Sequence, residues 1–386
     1  MFDNPKMIFT LDLFKRKSYR QLNTVFVSRN AILQNHNALC KIHPEAKICP
    51  VLKSNAYGHG LIEIASVFDS MGCPFLVVDS LFEAYELLKM KVKTRILVMG
   101  YTDSINFTVK RIPFDVVVFD LDVAKTLNRY QPGCNVHIFI DTGMNREGVQ
   151  IENLQNFLTE MNKFKNLKIV GLCSHLADAD NSKDERFNQH QIEQFGKAWE
   201  IMKKSGINPT WRHISASGGA YKIQNPEFNM IRAGIAHFGI SPLDKVDKYR
   251  KNLELQPALE FVSRLVQVKH VQKGAVVGYS CTHKLKRDSV LGLLPAGYYE
   301  GVDRRLSNNG FVKIRDKFFP IVGRVSMNMT VVDITELDKP KTGEKVIIYS
   351  AHPEDKNSLG NSANKANAIP YELIVHIAES VKRVVI

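Results

Sequence analysis

A single lysine ends an apolar run in the segment VLKSNAYGHG (residues 51–60), and small, turn-forming residues follow it at once. Lysine side chains are almost always solvated, yet Lys53 stands where a buried strand should be ending. If this side chain is buried, the loss of hydration lowers the pKa of its amine and makes the amine available as a base or a nucleophile. The segment therefore makes Lys53 a candidate catalytic residue.

Other residues with useful chemistry also come directly after apolar runs. They are Arg146 in DTGMNREG (141–148), His175 in SHLAD (174–178), Ser217 in SASGG (215–219), and Gly234 and Ile235 at the end of MIRAGI (230–235). Turns of small residues can bind phosphate through backbone N–H groups. Together with Lys53, they predict a phosphorylated carbonyl compound that is attached covalently to the lysine amine. Each feature taken alone also fits an exposed lysine, a core histidine or a flexible loop.

Eight short apolar runs, most of them followed by an amphipathic helical stretch, would position these residues. The runs are KICPVLK (47–53), FLVV (75–78), RILVMG (95–100), DVVVFD (115–120), NVHIFID (135–141), LKIVGLC (167–173), WRHIS (211–215) and MIRAGI (230–235). Several are continuous and β-branched, which is typical of parallel strands buried on both faces. Eight such units predict an α/β fold of the (β/α)8 TIM-barrel type, because no GxGxxG motif follows the first run to favour a doubly wound sheet. A barrel would bring the candidate residues to one rim, at the carboxyl ends of its strands.

The pattern changes after about residue 252, where alternating segments such as EFVSRLVQV and FVKIRDKFF indicate antiparallel strands. We therefore predict two domains, a barrel over residues 1–252 and a mostly β C-terminal domain over residues 253–386. Residues 1 to about 20 are candidates for packing on the C-terminal domain.

The composition is that of an ordinary globular protein, with 44% apolar and 24% charged residues. The formal net charge is +13, but the basic residues are scattered, so we expect a solvated surface and no nucleic-acid partner. The cysteines lie far apart and the histidines show no HxH or HExxH spacing. This predicts reduced thiols, no metal site and a cytoplasmic location. No run reaches transmembrane length, so we expect no membrane partner.

The motifs resemble those of one enzyme family. KSNAYGHG resembles the pyridoxal-phosphate lysine motif of alanine racemases, and later segments resemble that family's other motifs in the same order: DTGMNR, SHLADAD, RAGI, VGYS, GYYEG, GRVSMN and IPYE. The resemblance runs from about residue 25 to the C-terminus. It implies a (β/α)8 barrel with a C-terminal β domain, pyridoxal 5'-phosphate as cofactor, and a homodimer with active sites at the subunit interface. The implied activity is the interconversion of L-alanine and D-alanine, which supplies D-alanine for peptidoglycan.

The resemblance also implies two opposed catalytic bases. Lys53 would bind the cofactor covalently and, once released by the substrate, would move the α-proton on one face. Tyr279, in VGYS, would act on the other face and would reach in from the partner subunit. Racemisation requires such a pair, because inverting a centre needs proton removal on one side and proton delivery on the other.

Further roles follow from the same resemblance. Arg146 would lie beside Tyr279 and the substrate and lower the pKa of the tyrosine. Arg232 would face the pyridine nitrogen and keep it unprotonated, which limits side reactions. The remaining implied assignments are His175 near the cofactor ring, Tyr57, Ser217, Gly234, Ile235 and Tyr371 at the phosphate, the Met327 backbone at the substrate carboxylate, and Tyr298 at the entrance.

Some positions depart from the family pattern. Phe139 stands where many members carry a lysine, carbamylated in some, that supports the arginine seven residues later. The resemblance therefore implies that Arg146 is supported by another side chain or by an anion such as chloride. Asn328 replaces a usual aspartate, Ala216 a usual asparagine and Ala233 a usual proline, and HF at 237–238 replaces the usual LY.

Three alternatives remain. A racemase of serine or of a broader set of amino acids would use the same chemistry. A barrel-type amino-acid decarboxylase would share the fold and the lysine and would use a cysteine near the C-terminal domain, and Cys281 lies two residues after Tyr279. A non-catalytic pyridoxal-phosphate carrier would be a single barrel, and the predicted second domain argues against it.

Overall fold

The computed structural model describes residues 21–386, so the expected packing of the first 20 or so residues lies outside it. All eight predicted barrel strands are present, each within its predicted run. They are β2 (Lys47–Pro50), β3 (Phe75–Val78), β4 (Arg95–Val98), β5 (Asp115–Val118), β6 (Asn135–Asp141), β8 (Lys168–Cys173), β9 (Trp211–His213) and β10 (Met230–Ala233), with the two-residue strand β7 (Val149–Gln150) paired to β6.

The eight strands form a closed parallel ring. Strands β3, β4, β5, β6, β8 and β9 pair in that order, and β10 pairs with β2. Two backbone hydrogen bonds join these sheets, from Leu52 N to Val77 O at 2.7 Å and from Arg232 N to Ser215 O at 3.1 Å. The predicted TIM barrel is therefore confirmed.

Helices surround the barrel. They are α1 (Arg29–Ile42), α2 (Lys53–Tyr57), α3 (Leu61–Asp69), α4 (Leu81–Lys89), α5 (Leu121–Tyr130), α6 (Ile151–Met161), α7 (Arg186–Lys204) and α8 (Ser217–Lys222), with 3₁₀ turns at Ser104–Thr108, Ile235–Phe238 and Lys248–Asn252. Side chains in the sequence fix several helix starts. Ser80 and Glu83 form a reciprocal capping box at α4, and the Asp120 side chain accepts a hydrogen bond from the Val123 N–H at α5.

The C-terminal region is mostly β. Its elements are β11 (Leu259–Arg264), β12 (Gln267–Val271), β13 (Val276–Val277), β14 (His283–Lys284), β15 (Ser289–Leu294), β16 (Phe311–Ile314), β17 (Lys317–Pro320), β18 (Thr330–Asp333), β19 (Lys345–Tyr349), α9 (Leu359–Ala366), α10 (Pro370–Val375) and β20 (Lys382–Val385), with 3₁₀ turns at Tyr279–Cys281 and Arg304–Leu306. Strands β12, β15 and β18 form a three-stranded sheet, and β13 and β14 form a hairpin.

The first described strand ties the two regions together. This strand, β1 (Thr24–Val27), precedes the barrel in the chain but lies in the larger C-terminal sheet, whose order is β17-β16-β19-β11-β1-β20. One apolar core runs from Leu52 and Ala56 at the barrel rim to Phe261 and Ile374 in the C-terminal region. The C-terminal region therefore packs directly behind the segment that carries Lys53. Over the described part of the chain, no helix combines the length and the apolar character needed to span a membrane.

Candidate active site

A cavity of about 630 Å³ opens at the carboxyl ends of the barrel strands. It brings together most of the residues that the sequence pointed to: Lys53, Tyr57, Arg146, His175, Ser217, Arg232, Gly234, Ile235 and Tyr371. Asp79, Phe139 and Glu147 line the same cavity. The carboxyl-end rule for barrels thus places the candidate residues together.

Lys53 begins a left-handed helical turn, α2. The φ angles of Ser54, Asn55, Ala56 and Tyr57 are 55°, 56°, 51° and 52°. Left-handed backbone costs roughly 1–2 kcal/mol for each residue that carries a Cβ, and asparagine tolerates it best. Four such residues in a row persist only where the surroundings impose the conformation, which is a property of functional sites.

Neighbouring elements hold this turn at both ends. The Ser54 N–H donates to Glu83 Oε1 at 2.6 Å, and the Asn55 side chain accepts from the Leu61 N–H at 2.7 Å. On the other side, Arg383 of β20 donates through Nε to the Gly58 carbonyl at 3.1 Å. The barrel and the C-terminal region therefore both fix the backbone that carries Lys53.

The Lys53 side chain is 45% exposed and lines the cavity, so it is not buried at the end of the strand. Its Nζ lies 3.9 Å from Asp79 Oδ1. Asp79 was not among the predicted site residues. It directly follows the run FLVV, so the rule that site residues follow barrel strands could have identified it. The position of Lys53 is explained by the cavity it enters.

Arg232 is a buried cation without a carboxylate partner in the described residues. Its side chain donates to Ser174 O at 2.7 Å and to His213 O at 3.1 Å, and it contacts His213 Nδ1 at 2.5 Å. The residue is 3% exposed, and burial lowers the pKa of its guanidinium. All of these acceptors are neutral, so the positive charge is not compensated locally and remains available to a group in the cavity.

A chain of buried side chains continues below Arg232. His213 Nε2 lies 2.9 Å from His137 Nδ1, and His137 Nε2 lies 3.6 Å from Asp115 Oδ2. Asp115 in turn pairs with Arg95, with Arg95 Nη2 2.5 Å from Asp115 Oδ2. Burial lowers the pKa of both histidines, which keeps them neutral between the two charged ends. The sequence alone did not point to this series of contacts from Arg232 to Arg95.

His175 lies against Arg232, with its Nδ1 3.1 Å from Arg232 Nη2. Burial, together with the nearby cations Arg232, Arg146 and Lys53, lowers the pKa of His175 to about 3. The imidazole is therefore neutral at physiological pH, and its Nδ1 accepts a hydrogen bond from Arg232 Nη2.

The part of the cavity lined by Ser217 and Gly234 offers hydrogen-bond donors of the kind that bind a phosphate group. The Ser217 hydroxyl oxygen accepts from the N–H groups of Gly234 and Ala236 at 3.0 and 3.2 Å, which leaves its proton free to donate. A Cβ on Gly234 would lie 2.4 Å from the Tyr57 hydroxyl, so glycine is needed for this close approach. Ala216, at the start of α8, supplies no side-chain cap to the N–H groups of the following residues.

These groups fit pyridoxal phosphate. An amine for the aldehyde, an uncompensated buried cation for the ring nitrogen and a hydroxyl with backbone N–H groups for the phosphate lie around one cavity. Tyr57 and Tyr371 complete the phosphate end, with ring centroids 6.1 Å apart. Burial raises the pKa of Tyr57 to about 12, so its hydroxyl keeps its proton and can donate.

Three predicted site residues lie elsewhere. Tyr279, Tyr298 and Met327 belong to the C-terminal region and do not line this cavity. Their side chains are 69%, 42% and 55% exposed. Near them, Asn328 Nδ2 donates to Glu300 Oε1 at 2.8 Å, so a carboxylate is still present beside the position where the family pattern has an aspartate. Among the described residues, no group of three or more His, Cys, Asp and Glu side chains is placed to hold a metal ion.

Known proteins are similar to this chain in both sequence and architecture. The sequence model of the family "Alanine racemase, N-terminal domain" matches residues 27–242, and that of "Alanine racemase, C-terminal domain" matches residues 258–385. The chain is 32% identical over 370 residues to "Alanine racemase 2" of Caldanaerobacter subterraneus subsp. tengcongensis, covering 94% of both proteins.

Two solved structures illustrate the likeness in fold. The alanine racemase of Clostridium difficile 630 superposes with a TM-score of 0.89 at 27% identity, covering 95% of this chain and 96% of that one. The structure of alanine racemase from Bartonella henselae with covalently bound pyridoxal phosphate has a TM-score of 0.80 at 24% identity, covering 95% of this chain and 100% of that one.

Proposed function

Because the chain belongs to the alanine racemase family of pyridoxal-phosphate-dependent isomerases, we propose that it interconverts L-alanine and D-alanine with Lys53 and Tyr279 as opposed bases. The observation that carries this assignment is the cavity that gathers Lys53, Arg232 and Ser217 on one rim. Bound pyridoxal phosphate withdraws electrons from the carbon that loses its proton. The chain itself must hold the cofactor, orient the substrate and move one proton on each face.

Arg232 orients the cofactor and tunes its electron demand. Its guanidinium is held by the carbonyl of Ser174 and by His213, so the side chain has little freedom to move. A positive charge directed at the pyridine nitrogen disfavours protonation of that nitrogen. The resulting weak electron sink limits side reactions and favours simple proton exchange. Neutral His175 packs beside it without adding a competing charge.

Lys53 moves the proton on the face that the barrel provides. Its amine is open to the cavity and has Asp79 as its nearest carboxylate partner, 3.9 Å away. In the enzyme with cofactor and substrate bound, an Nζ that is not attached to the cofactor would be a free base able to take or return the α-proton. The left-handed turn fixes the backbone position from which this flexible side chain extends into the cavity.

Tyr279 acts on the other face, and a second copy of the chain supplies it. The C-terminal region exposes a set of large side chains, here called the tyrosine face: Tyr279, Tyr298, Tyr299, Met327, Met329 and Val276. Backbone hydrogen bonds join the segments of Tyr298 and Tyr299 to that of Met327 and Met329, and Gly278, next to Tyr279, lies against Arg324 of the same segment. Surfaces of this composition are typical of protein interfaces. In a symmetric dimer, each tyrosine face would cover the partner's cavity, so each active site would use residues from two chains.

Complementation between two inactive variants tests this arrangement. Lys53→Ala and Tyr279→Phe are each inactive as homodimers, but a mixed dimer contains one site with both native bases. Random pairing after co-expression should restore about a quarter of the wild-type activity. A mixture that stays inactive despite proven heterodimers, detected with two affinity tags, would contradict a shared site.

Incubation with single L-amino acids in deuterated water tests the reaction itself. Racemisation predicts loss of optical activity with deuterium incorporated at Cα, and decarboxylation predicts an amine. The relative rates with alanine and serine define the substrate range. We further propose that the reaction supplies D-alanine for peptidoglycan in the cytoplasm, where the unpaired state of all six cysteines would be maintained.

A further inference from the structure

Arg146 has an unusual partner, the side chain of the residue that follows it. Arg146 donates through Nη2 to Glu147 Oε1 at 2.6 Å, and through Nε to Glu147 Oε2. Two parallel hydrogen bonds between a guanidinium and a carboxylate fix the orientation of both planes. The hydrogen bonds to Glu147 raise the pKa of Arg146 and secure its charge.

The loop that carries the pair is rigid. Asp141 Oδ1 accepts from the N–H groups of Gly143 and Asn145 at 2.9 and 3.0 Å, and Asn145 adopts a left-handed φ of 56°. Gly148 has a φ of 120°, and a Cβ there would lie 2.5 Å from the Asp141 nitrogen. The loop thus folds back tightly on the end of β6, so that Arg146 and Glu147 both line the active-site cavity.

Only one edge of the Arg146 guanidinium is used. A guanidinium has five N–H donors, and Glu147 takes the edge formed by Nε and Nη2. Within residues 21–386, Nη1 makes no hydrogen bond, and the side chain is 53% exposed. The edge formed by Nη1 and Nη2 can therefore still bind a second carboxylate.

Strand β6 gives Arg146 no carboxylate partner, because its one carboxylate, Asp141, accepts hydrogen bonds from the N–H groups of the loop. Phe139, which occupies the position of the supporting lysine in the family pattern, is 3% exposed and packs edge-on against Phe119. Asp79, whose charge also raises the pKa of Arg146, lies beside Lys53, with its Oδ1 3.9 Å from Lys53 Nζ. Glu147, which is only 26% exposed, is therefore the anion that the chain itself provides.

We propose that Glu147 is a positioning residue, which holds Arg146 so that the free edge of the guanidinium binds the carboxylate of the amino-acid substrate. The proposal rests on the proposed racemase function. It means that the support for this arginine is built into the chain as a carboxylate, and needs neither a carbamylated lysine nor a bound chloride ion. Glu147→Gln keeps the shape and removes the charge, and Glu147→Ala removes both.

Steady-state kinetics with added anions test the proposal. We expect Glu147→Gln and Glu147→Ala to raise KM for alanine about tenfold, with a smaller change in kcat, because a paired charge-assisted contact is lost. Formate or chloride should lower the KM of Glu147→Ala again and leave the wild type unchanged. Glu160→Gln, which removes an exposed ion pair with Lys163, is the matched control and should behave as the wild type. Unchanged KM values in both Glu147 variants, or an absence of anion rescue, would overturn the proposal.

A structural readout separates this proposal from the assignment of function. Crystals of Glu147→Ala soaked in bromide should show an anomalous peak within hydrogen-bond distance of the Nε–Nη2 edge of Arg146, and crystals of the wild type, where Glu147 occupies that edge, should show none at it. No bromide at this edge in the variant would contradict the positioning role, whatever the activity. A wild type that exchanges the α-proton of no amino acid would instead refute the proposed function.

Discussion

On the barrel rim, the groups around Lys53 are locked by their neighbours: Arg232 is 3% exposed and hydrogen-bonded, and four residues are held in left-handed backbone. On the tyrosine face, Tyr279 is 69% exposed and Met327 is 55% exposed. The rim belongs to a closed barrel, whereas the face belongs to a small β region whose apolar side chains have no cover in the described chain. The proposed active site thus combines one half that is complete with one half that is open.

The difference separates two functions of the site, cofactor binding and proton transfer. Cofactor binding depends on many buried contacts within one chain, so it should survive changes on the tyrosine face. Proton transfer on the second face depends on docking between chains, so it should be lost without any loss of cofactor. Variants in the two regions should therefore separate cofactor binding from turnover.

The largest effect is expected for Lys53→Ala. Removing the amine takes away both the covalent attachment point and one base, so turnover should fall by at least about a thousandfold. The visible absorbance of the lysine-bound cofactor should disappear, as measured on the purified protein. The proposed dimer should persist in sedimentation experiments, because the exposed side chains of the tyrosine face are unaltered. Retained lysine-type absorbance would contradict the assignment.

Tyr279→Phe should have the next largest effect and the opposite signature. The cofactor absorbance should stay as in the wild type, while turnover falls about 10²- to 10⁴-fold, the usual contribution of a general acid or base. Turnover is measured separately from L-alanine and from D-alanine, and we expect this loss in at least one of the two directions. Normal turnover in both directions would show that the two-base assignment is wrong.

The sequence pattern was sufficient to predict the barrel, because short, continuous, β-branched runs such as DVVVFD at 115–120 are typical of buried parallel strands and recur eight times, most of them followed by a helical stretch. The strand-end rule also placed Lys53, His175 and Ser217 on one rim. The role of Tyr279 could come only from the family motif, since nothing in its local sequence distinguishes it from a surface tyrosine.

Other features depend on tertiary contacts that leave little trace in the sequence. The left-handed turn contains Ser54, Ala56 and Tyr57, none of which prefers this backbone, so its cause lies in distant partners such as Arg383. The role of Glu147 depends on a loop that folds back on itself. The exposure of Lys53 depends on the cavity it enters, so its unusual place in the sequence could not distinguish burial from access.

A glycine pair tests whether the C-terminal region presses on the catalytic turn. Gly58 has a φ of 76° and Gly72 a φ of 70°, but a Cβ on Gly58 would lie 2.0 Å from the Ile374 carbonyl oxygen, whereas a Cβ on Gly72 meets nothing within 4 Å. Gly72→Ala should cost only the backbone strain of about 1–2 kcal/mol. Gly58→Ala should cost about 1–3 kcal/mol more through overpacking, as measured by denaturant unfolding. Equal costs would mean that the contact between the two regions is loose.

The stability of the folded chain should also depend on pH through its buried histidines. Burial lowers the pKa of His59 to about 4 and that of His237 to about 3, whereas an unfolded histidine titrates near 6.5. Below about pH 6.5 the unfolded chain therefore binds more protons than the folded chain, so the free energy of unfolding must fall as the pH falls.

Each such histidine contributes a slope of up to about 1.4 kcal/mol per pH unit between the unfolded and folded pKa values. His237→Leu should therefore reduce the slope of the free energy of unfolding against pH, between pH 6.5 and 4.5, by up to about 1.4 kcal/mol per pH unit. Denaturant unfolding at several pH values measures this slope. His237→Leu also removes the contact with His36, whose Nδ1 lies 3.1 Å from His237 Nε2. The cost of that lost contact is read above about pH 7, where the unfolded histidines are mostly neutral, and is subtracted before the slopes are compared. His190→Leu, at an exposed position, is the control and should leave the slope unchanged. If His237→Leu also leaves it unchanged, the acid sensitivity does not arise from neutral histidines buried under the rim.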